Sequence, residues 1–596
     1  MSQRRYFDEE MRYLHEAGKA FARVHPEQAR YLNIDSVTDR DPYVERLFEG
    51  FALLTGRIRE QLDDELPQYT EALCEMLFPH FLRPIPSLAM VSFRGQAGRL
   101  RESVRLPRGT EVQSTPVGEG VTCRFVTTRD VVVQPFQLDD VALAWAPDGT
   151  SSVTLTLGLS AGVALTDLDL RSLRLYFHAE PATAAAMHYF FTRRVREVTV
   201  ESGLPSWMTG EFARGAETET EALTLRGQEW IRPGGLDPSE ALLPQSERSF
   251  SGLRLVQEML CFRPKFWCVD VLGIDRFQPK STPGALRITV RFDKAFPQPQ
   301  RFGNEQIRLF TSPVINLFES DGEPIRVDHR SAEYRVVPDA RHRTGVEVYE
   351  VRSVTGIEDM TGRRHEYRSL LSPERTVGGR TYTADTGRGF TDRYESTITL
   401  QGIAPTPDGQ LPVETLSLEL RCTNGTVPRE HLRERSLAKL AAQTVRGIEV
   451  ENFTQPTLIR YPPTDRQTDF YWMMLSHWSL NYQSAATPQA LAGVLSLYDW
   501  TDSEVNKRQI EGIRAVRWAP KERVHRGAVL RGSEVTVELD ETRFADIGGA
   551  ALLGLVLSRF FAAYATINSF VHLTIVMLPS GERMTWAPET GEQPVL

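Results

Sequence analysis

Cysteine is scarce in this sequence: Cys74, Cys123, Cys261, Cys268 and Cys422 are five thiols scattered through 596 residues. An odd, widely spaced set in so long a chain excludes a disulfide-stapled scaffold and fits a reducing compartment. Basic excess is missing too. Lysine and arginine number 69 against 78 aspartates and glutamates, a net charge of −9, and no basic run is interleaved with aromatics. That balance excludes a general binder of nucleic acid or of anionic membrane surfaces. Met1 to Glu10 hold two arginines with no apolar run behind them, so no signal peptide is read and the expected location is the cytoplasm.

Catalytic signatures are equally thin. There is no Gly-x4-Gly-Lys phosphate loop, the Gly18-Lys19 pair lying inside a helical stripe. No Gly-x-Gly-x-x-Gly turn follows a strand, and neither a Gly-x-Ser-x-Gly elbow nor a His-Glu-x-x-His helix occurs. Cys261 and Cys268 stand seven apart beside aromatics, which suits two core residues better than a zinc knuckle, and no cofactor is expected. The best acid–base candidate is Asp328-His329-Arg330 with Asp339 and His342, since a carboxylate beside an imidazole can orient it. It lacks a nucleophile or third ligand at a recognisable spacing. A cytoplasmic hydrolase centred on residues 328–342 is therefore the alternative reading, and a non-enzymatic protein the preferred one.

Long apolar runs are limited to one, Ile547 to Val571, and Arg559 interrupts it. Leu552, Leu553, Val556, Leu557, Phe560, Phe561 and Tyr564 gather on one helical face, while Gly554, Ser558, Arg559, Ala562 and Ala563 take the other. This reads as a buried or interface helix rather than a bilayer span, with Phe560, Phe561 and Tyr564 as interface candidates.

What the sequence does hold begins with helices. Asp41-Pro42 is a cap followed by a first-turn proline, and Val44, Leu47, Phe48, Phe51, Leu54, Ile58 and Leu62 then recur at three- and four-residue steps up to Pro67. A helix from 41 to 66 would be a rod of about 37 Å whose stripe needs an equally long partner. Phe7, Met11, Leu14, Ala17, Phe21 and Val24 form a second stripe, and Thr70 to Phe78 a short third. Three uneven stripes fit either a hairpin buried in its own subunit or a bundle shared between chains.

From Leu88 the period turns to two. Strands are read at 88–93, 121–127, 131–133, 153–159, 173–177, 286–292, 346–354, 396–400, 416–420, 535–539 and 571–576. Helices are read at 253–261, 469–480 and from Thr487-Pro488 to Leu497. Residues 206–250 read as a long exposed loop or linker, and Thr361 to Arg393 as a loop or arm. No solenoid-like repeat is apparent. Length gives roughly three to five domains, placed at 1–87, 88–300, 301–445 and 446–596. The fold class is α+β multidomain: an N-terminal helical bundle segment, then β-sandwich or barrel-like modules, then a mixed α/β C-terminal region.

Several ordered strings resemble one family. They are Tyr6-Phe7, Phe21-Ala22-Arg23-Val24-His25-Pro26, Asp41-Pro42-Tyr43-Val44-Glu45-Arg46-Leu47 and Pro79-His80-Phe81-Leu82-Arg83-Pro84-Ile85-Pro86-Ser87. Further on come Ser312-Pro313-Val314-Ile315-Asn316-Leu317-Phe318, Asp328-His329-Arg330, Glu333 to Ala340, Leu497-Tyr498-Asp499, Arg508 to Ile513, Arg526-Gly527 and Phe560 to Phe570. Together they resemble TssF, the baseplate wedge family of bacterial type VI secretion systems. The resemblance implies a structural role: two copies pair with one TssG, hang from TssK, contact TssE and ring the spike hub protein. It implies a cytoplasmic subunit joined to the membrane complex only through the assembled baseplate, with no direct membrane insertion and no nucleic acid. It also implies that the N-terminal helices enter a shared bundle, which would cover the stripe from Val44 to Leu62. Two copies around one partner must meet different surfaces, and the linkers near Pro84-Ile85-Pro86 and at 206–250 are expected to absorb the difference.

Overall fold

The computed structural model describes residues 81–463 and 487–591, apart from 97, 119, 161, 204–220, 245–250, 280–283, 298–302, 340–344, 371–378, 389–393, 404–410, 442–446, 526–527, 564 and 568. Outside that body it describes residues 11, 14, 46–55, 74, 470, 473 and 474. The chain divides into two units, Met1–Pro79 with Thr464–Ser476, and His80–Pro463 with His477–Leu596.

The first unit is helical wherever it is described. Helix α1 covers residues 46–55. Ala52, Cys74, Phe470 and Met474 are buried in this unit, so the expected helix at 469–480 joins the N-terminal segment rather than a C-terminal domain. Most of the second and third stripes lies outside the described residues, as do Val44, Ile58 and Leu62.

The second unit is built mainly of strands. Its six-stranded sheet runs Leu437–Leu440, Glu111–Ser114, Arg124–Thr127, Thr311–Ile315, Leu88–Gly95, Ile448–Asn452. Val91 lies opposite Ser312 on one side and Asn452 on the other. Leu88 to Phe93 are all buried, as a strand covered on both faces requires. One sheet thus pairs strands from three of the four expected segments, and boundaries near 300 and 445 do not separate independent sheets. The expected linker at Pro84-Ile85-Pro86 is also fixed: all three residues are buried, and Ile85 exchanges backbone hydrogen bonds of 2.7 and 2.9 Å with Arg460.

Beside it stands a five-stranded antiparallel sheet, Ala222–Arg226, Val195–Gly203, Ala285–Phe292, Ser151–Leu159, Phe136–Trp145. A four-stranded sheet follows, Ile231–Pro233, Cys268–Leu272, Ser172–Phe177, Ile307–Arg308. Residues 206–250 are therefore not simply a loop, since two strands fall inside them. Helix α2, Pro181–Arg193, seats itself between these sheets through rings. Phe191 lies 5.0 Å from Phe177 and 5.2 Å from Phe292, and Phe190 lies 4.9 Å from Phe296.

An eight-stranded sheet is centred on Glu414–Thr423 and Glu347–Glu358, with Val354, Leu416, Leu418, Leu420 and Cys422 in its core. Arg364–Ser369 and Thr381–Arg388 pair within it, so two strands fall inside the span from Thr361 to Arg393 where a loop or arm was expected. Helix α3, Ser251–Cys261, matches its expected position. Next come the short α4, Val427–His431, and α5, Pro488–Leu497, where Thr487 Oγ1 accepts from the Ala490 amide at 3.2 Å. Helix α6, Glu504–Glu511, was not read from the sequence. At the C-terminal end Ile513–His525 and Ala528–Asp540 form a long hairpin, and Ser569–Leu578 pairs parallel to the second strand. A parallel neighbour demands a crossover, and helix α7, Ile547–Ala563, supplies it. The single apolar run is thus a helix of a strand–helix–strand unit. No described helix is long and apolar enough to cross a membrane.

Candidate interaction surfaces and a buried polar seam

The α1 stripe divides into two faces. Phe48 and Thr55 are half-buried and Ala52 is sealed, which makes 48, 52 and 55 the inward line. Leu47, Phe51 and Leu54 have the same spacing one position earlier, and they stand 61%, 55% and 61% exposed. Leu53 adds to the ridge at 49%. Four large apolar side chains in water on one helix are more than scattered surface leucines.

The C-terminal interface candidates behave oppositely. Phe560 and Phe561 are 0% and 1% exposed and are enclosed by the chain itself, a correction to their expected place at an interface. Tyr564 lies outside the described residues. Helix α7 packs on α2, α3 and Ser569–Leu578 at a separation that glycine sets. A Cβ on Gly548 would meet the Ala185 carbonyl at 2.3 Å, one on Gly252 the Phe560 Cα at 2.8 Å, and one on Gly554 the Trp586 ring at 2.2 Å.

The acid–base candidate does not assemble. The His329 ring Nε2 lies 2.8 Å from the Pro412 carbonyl, to which it donates, and its amide donates to the Tyr334 hydroxyl at 3.1 Å. Asp328 accepts from the Arg330 amide at 3.1 Å instead of from the imidazole. Residue 329 sits at φ +60°, so these bonds hold a tight turn together. His342 is outside the described residues. The hydrolase reading therefore loses its dyad. Among the described residues no group of His, Cys, Asp and Glu could hold a metal.

What the sequence reading missed is a seam of buried charge where α3 meets the four-stranded sheet. Glu258 accepts from Lys265 Nζ at 2.5 Å and from the Leu242 amide at 2.8 Å, with Arg254 Nη1 at 3.5 Å. All three side chains are at most 3% exposed. Burial pushes the Lys265 ammonium down, and Glu258 opposes that shift. Nearby, Arg174 forks onto Asp270 at 2.7 and 2.6 Å and reaches Glu240 at 2.7 Å. Arg129 gives two bonds to the Thr311 carbonyl, and burial pushes its guanidinium down to about 10. The signal was present: Arg254 and Glu258, one helical turn apart inside the apolar run from Leu253 to Leu260, are charges placed where a core helix should have none. Every charge in this seam is engaged by the chain itself. It pins sheet to helix and leaves no nucleophile or base free.

A many-sheeted body whose buried charges pair within the chain, and an apolar ridge left in water on α1, are the features of an assembly subunit. The comparisons with known proteins agree. The family described as Type VI secretion system, TssF, matches residues 2–593. The chain belongs to this TssF family. It is 28% identical over 648 aligned residues to the type VI secretion system component TssF1 of Pseudomonas aeruginosa, covering 99% of each chain. A chain of a TssK–TssF–TssG baseplate subcomplex, solved by cryo-electron microscopy, is 31% identical with a TM-score of 0.77, over 92% of this chain and 99% of that one. A chain of the type VI secretion baseplate complex is 28% identical with a TM-score of 0.62, over the whole of both. These relatives are components of a secretion baseplate rather than enzymes, and the present chain is a baseplate subunit of that kind.

Proposed function

We propose that this baseplate subunit acts as a wedge protein that binds TssG and TssK and contributes no catalysis. The family match over nearly the whole chain carries the reading. Its likeness to a chain from a TssK–TssF–TssG subcomplex supports the choice of partners. In finer detail, two copies join one TssG, the wedges ring the spike hub and touch TssE, and the particle stays in the cytoplasm, tied to the membrane complex through TssK.

The N-terminal helices enter a bundle shared with partner chains. The Leu47–Phe51–Leu54 ridge supports this, because burying large apolar side chains is favourable by about 1.5–3 kcal/mol each and the described part of this chain leaves them wet. The stripe residues Val44, Ile58 and Leu62 belong to the same proposal.

Native mass spectrometry of the chain co-expressed with a TssG tests it. Wild type should yield a complex of two copies to one. Phe51→Asp with Leu54→Asp should abolish that complex while leaving the isolated subunit folded. Survival of the complex with both charges in place would return the ridge to ordinary surface, and absence of any complex in wild type would sink the partner assignment.

A further inference from the structure

A cavity of about 710 Å³ opens in the second unit between the edge strand Ile231–Pro233, helices α2, α3 and α7, and the segment from Trp586 to Glu589. Leu255, Ala551, Leu555 and Trp586 give it an apolar wall. Its polar lining is lopsided once internal bonds are counted. Four carboxylates are already engaged: Asp237 by the Ser239 amide and hydroxyl, Glu240 by Arg174 and the Gly235 amide, Asp270 by Arg174, and Glu589 by Arg559. Among the described residues of the lining, the exposed Glu229 is the one carboxylate without such a partner.

The donors are not used up in this way. Arg232 is exposed and makes no ion pair with any described residue. The Arg193 guanidinium lies over the Trp586 ring, 4.5 Å from its centroid, donates to the Thr585 carbonyl and makes no ion pair with any described residue. Two buried lining residues carry orphaned nitrogens. Arg254 Nη1 makes no hydrogen bond, although Glu258 answers its charge at 3.5 Å, and His188 Nε2 has no hydrogen-bond partner; both atoms are sealed from water. The donors open to the cavity are therefore Arg232 and Arg193, and a carboxylate facing a guanidinium makes the stronger, charge-assisted kind of bond. A space of this size takes several side chains rather than a lone carboxylate.

We propose that this cavity receives a short acidic segment of a partner protein, glutamate or aspartate side chains facing Arg232 and Arg193, with its apolar portion against Leu255 and Leu555. The proposal rests on the reading of the chain as an assembly subunit. It concerns a surface of the second unit, separate from the α1 ridge.

The test is fluorescence anisotropy of the full chain with a labelled hexaglutamate peptide. Saturable binding should weaken about ten-fold in Arg232→Glu, the value of one charge-assisted bond. Leu555→Glu, which supplies a carboxylate from within, should weaken it similarly. Arg226→Glu, outside the lining, should leave affinity unchanged and serves as the control for diffuse charge. Four results would overturn the proposal: no saturable binding, equal binding of hexaglutamine, equal loss in Arg226→Glu, or displacement by free glutamate at the same residue concentration. The probe reports on the cavity alone, whereas the TssG complex seen by mass spectrometry reports on the subunit reading, so failures of the two are separable.

Discussion

Phe560 and Phe561 of α7 are sealed by α2, α3 and a β-strand, whereas Leu47, Phe51 and Leu54 of α1 project into water, although both helices read as apolar stripes in the sequence. The difference lies in the company each helix keeps. Around α7 stand glycines at 252, 548 and 554 that let backbone and ring approach within a side chain's width, so its own chain can enclose it. Around α1 the described chain covers only the line through Phe48, Ala52 and Thr55. An apolar stripe announces that a partner surface exists. It does not say on which chain.

The contrast can be broken most violently at the glycines. Gly554→Leu puts carbon where the Trp586 ring and the Ile575 side chain stand at 2.2 and 2.6 Å, and should cost about 3 kcal/mol or more of stability. Chemical denaturation of the full chain checks it, and a variant as stable as wild type would refute close packing of α7. Glu258→Gln should cost a comparable amount, about 3–5 kcal/mol, because it strands Lys265 and Arg254 as buried cations beside the same helix layer. Adding Lys265→Met to it should recover part of the loss, and no recovery would mean the pair is not the cause.

A smaller effect is expected at His188, on the α2 face near α7. Burial pushes its imidazole down to about 4, against an ordinary value near 6.5. Above the ordinary value both the folded and unfolded chains hold it neutral. As pH falls from about 6.5 toward 4, the unfolded chain takes up a proton that the folded chain refuses, so stability drops through that window. The difference in stability between wild type and His188→Phe should therefore slope across this window and flatten above it. A difference independent of pH would contradict the buried neutral imidazole. The least effect belongs to α1: Phe51→Asp with Leu54→Asp should change the isolated chain's stability by no more than about 0.5 kcal/mol. A loss as large as that of Gly554→Leu would place the ridge inside the subunit after all.

Much of the fold was legible where period and punctuation agree. Alternation at Leu286, Ile288 and Val290 marks a strand observed as Ala285–Phe292, and Thr487-Pro488 starts the helix it promised. Helix α2 was overlooked among strands, although Pro181 before Ala182-Thr183-Ala184-Ala185-Ala186 was a usable start signal. The strands at 364–369 and 381–388 were illegible, because their polar, arginine-rich residues gain strand geometry from neighbours in the eight-stranded sheet. The seam of Glu258, Lys265 and Arg254 left a trace in the sequence only as charges in an apolar run. The cavity beside it left none, since its lining comes from segments hundreds of residues apart.

The family, much of the alternation of helices and strands, and the lack of a recognisable catalytic motif can be read from the residues in order, because each is written in local strings and spacings. The tertiary structure alone decided that strands near residues 90, 312 and 450 share one sheet, that α7's aromatics belong to the subunit's own core, and that α1's ridge stays in water. Those are outcomes of long-range pairing and of which surfaces can approach closely enough to exclude water, quantities that no local pattern of residues contains.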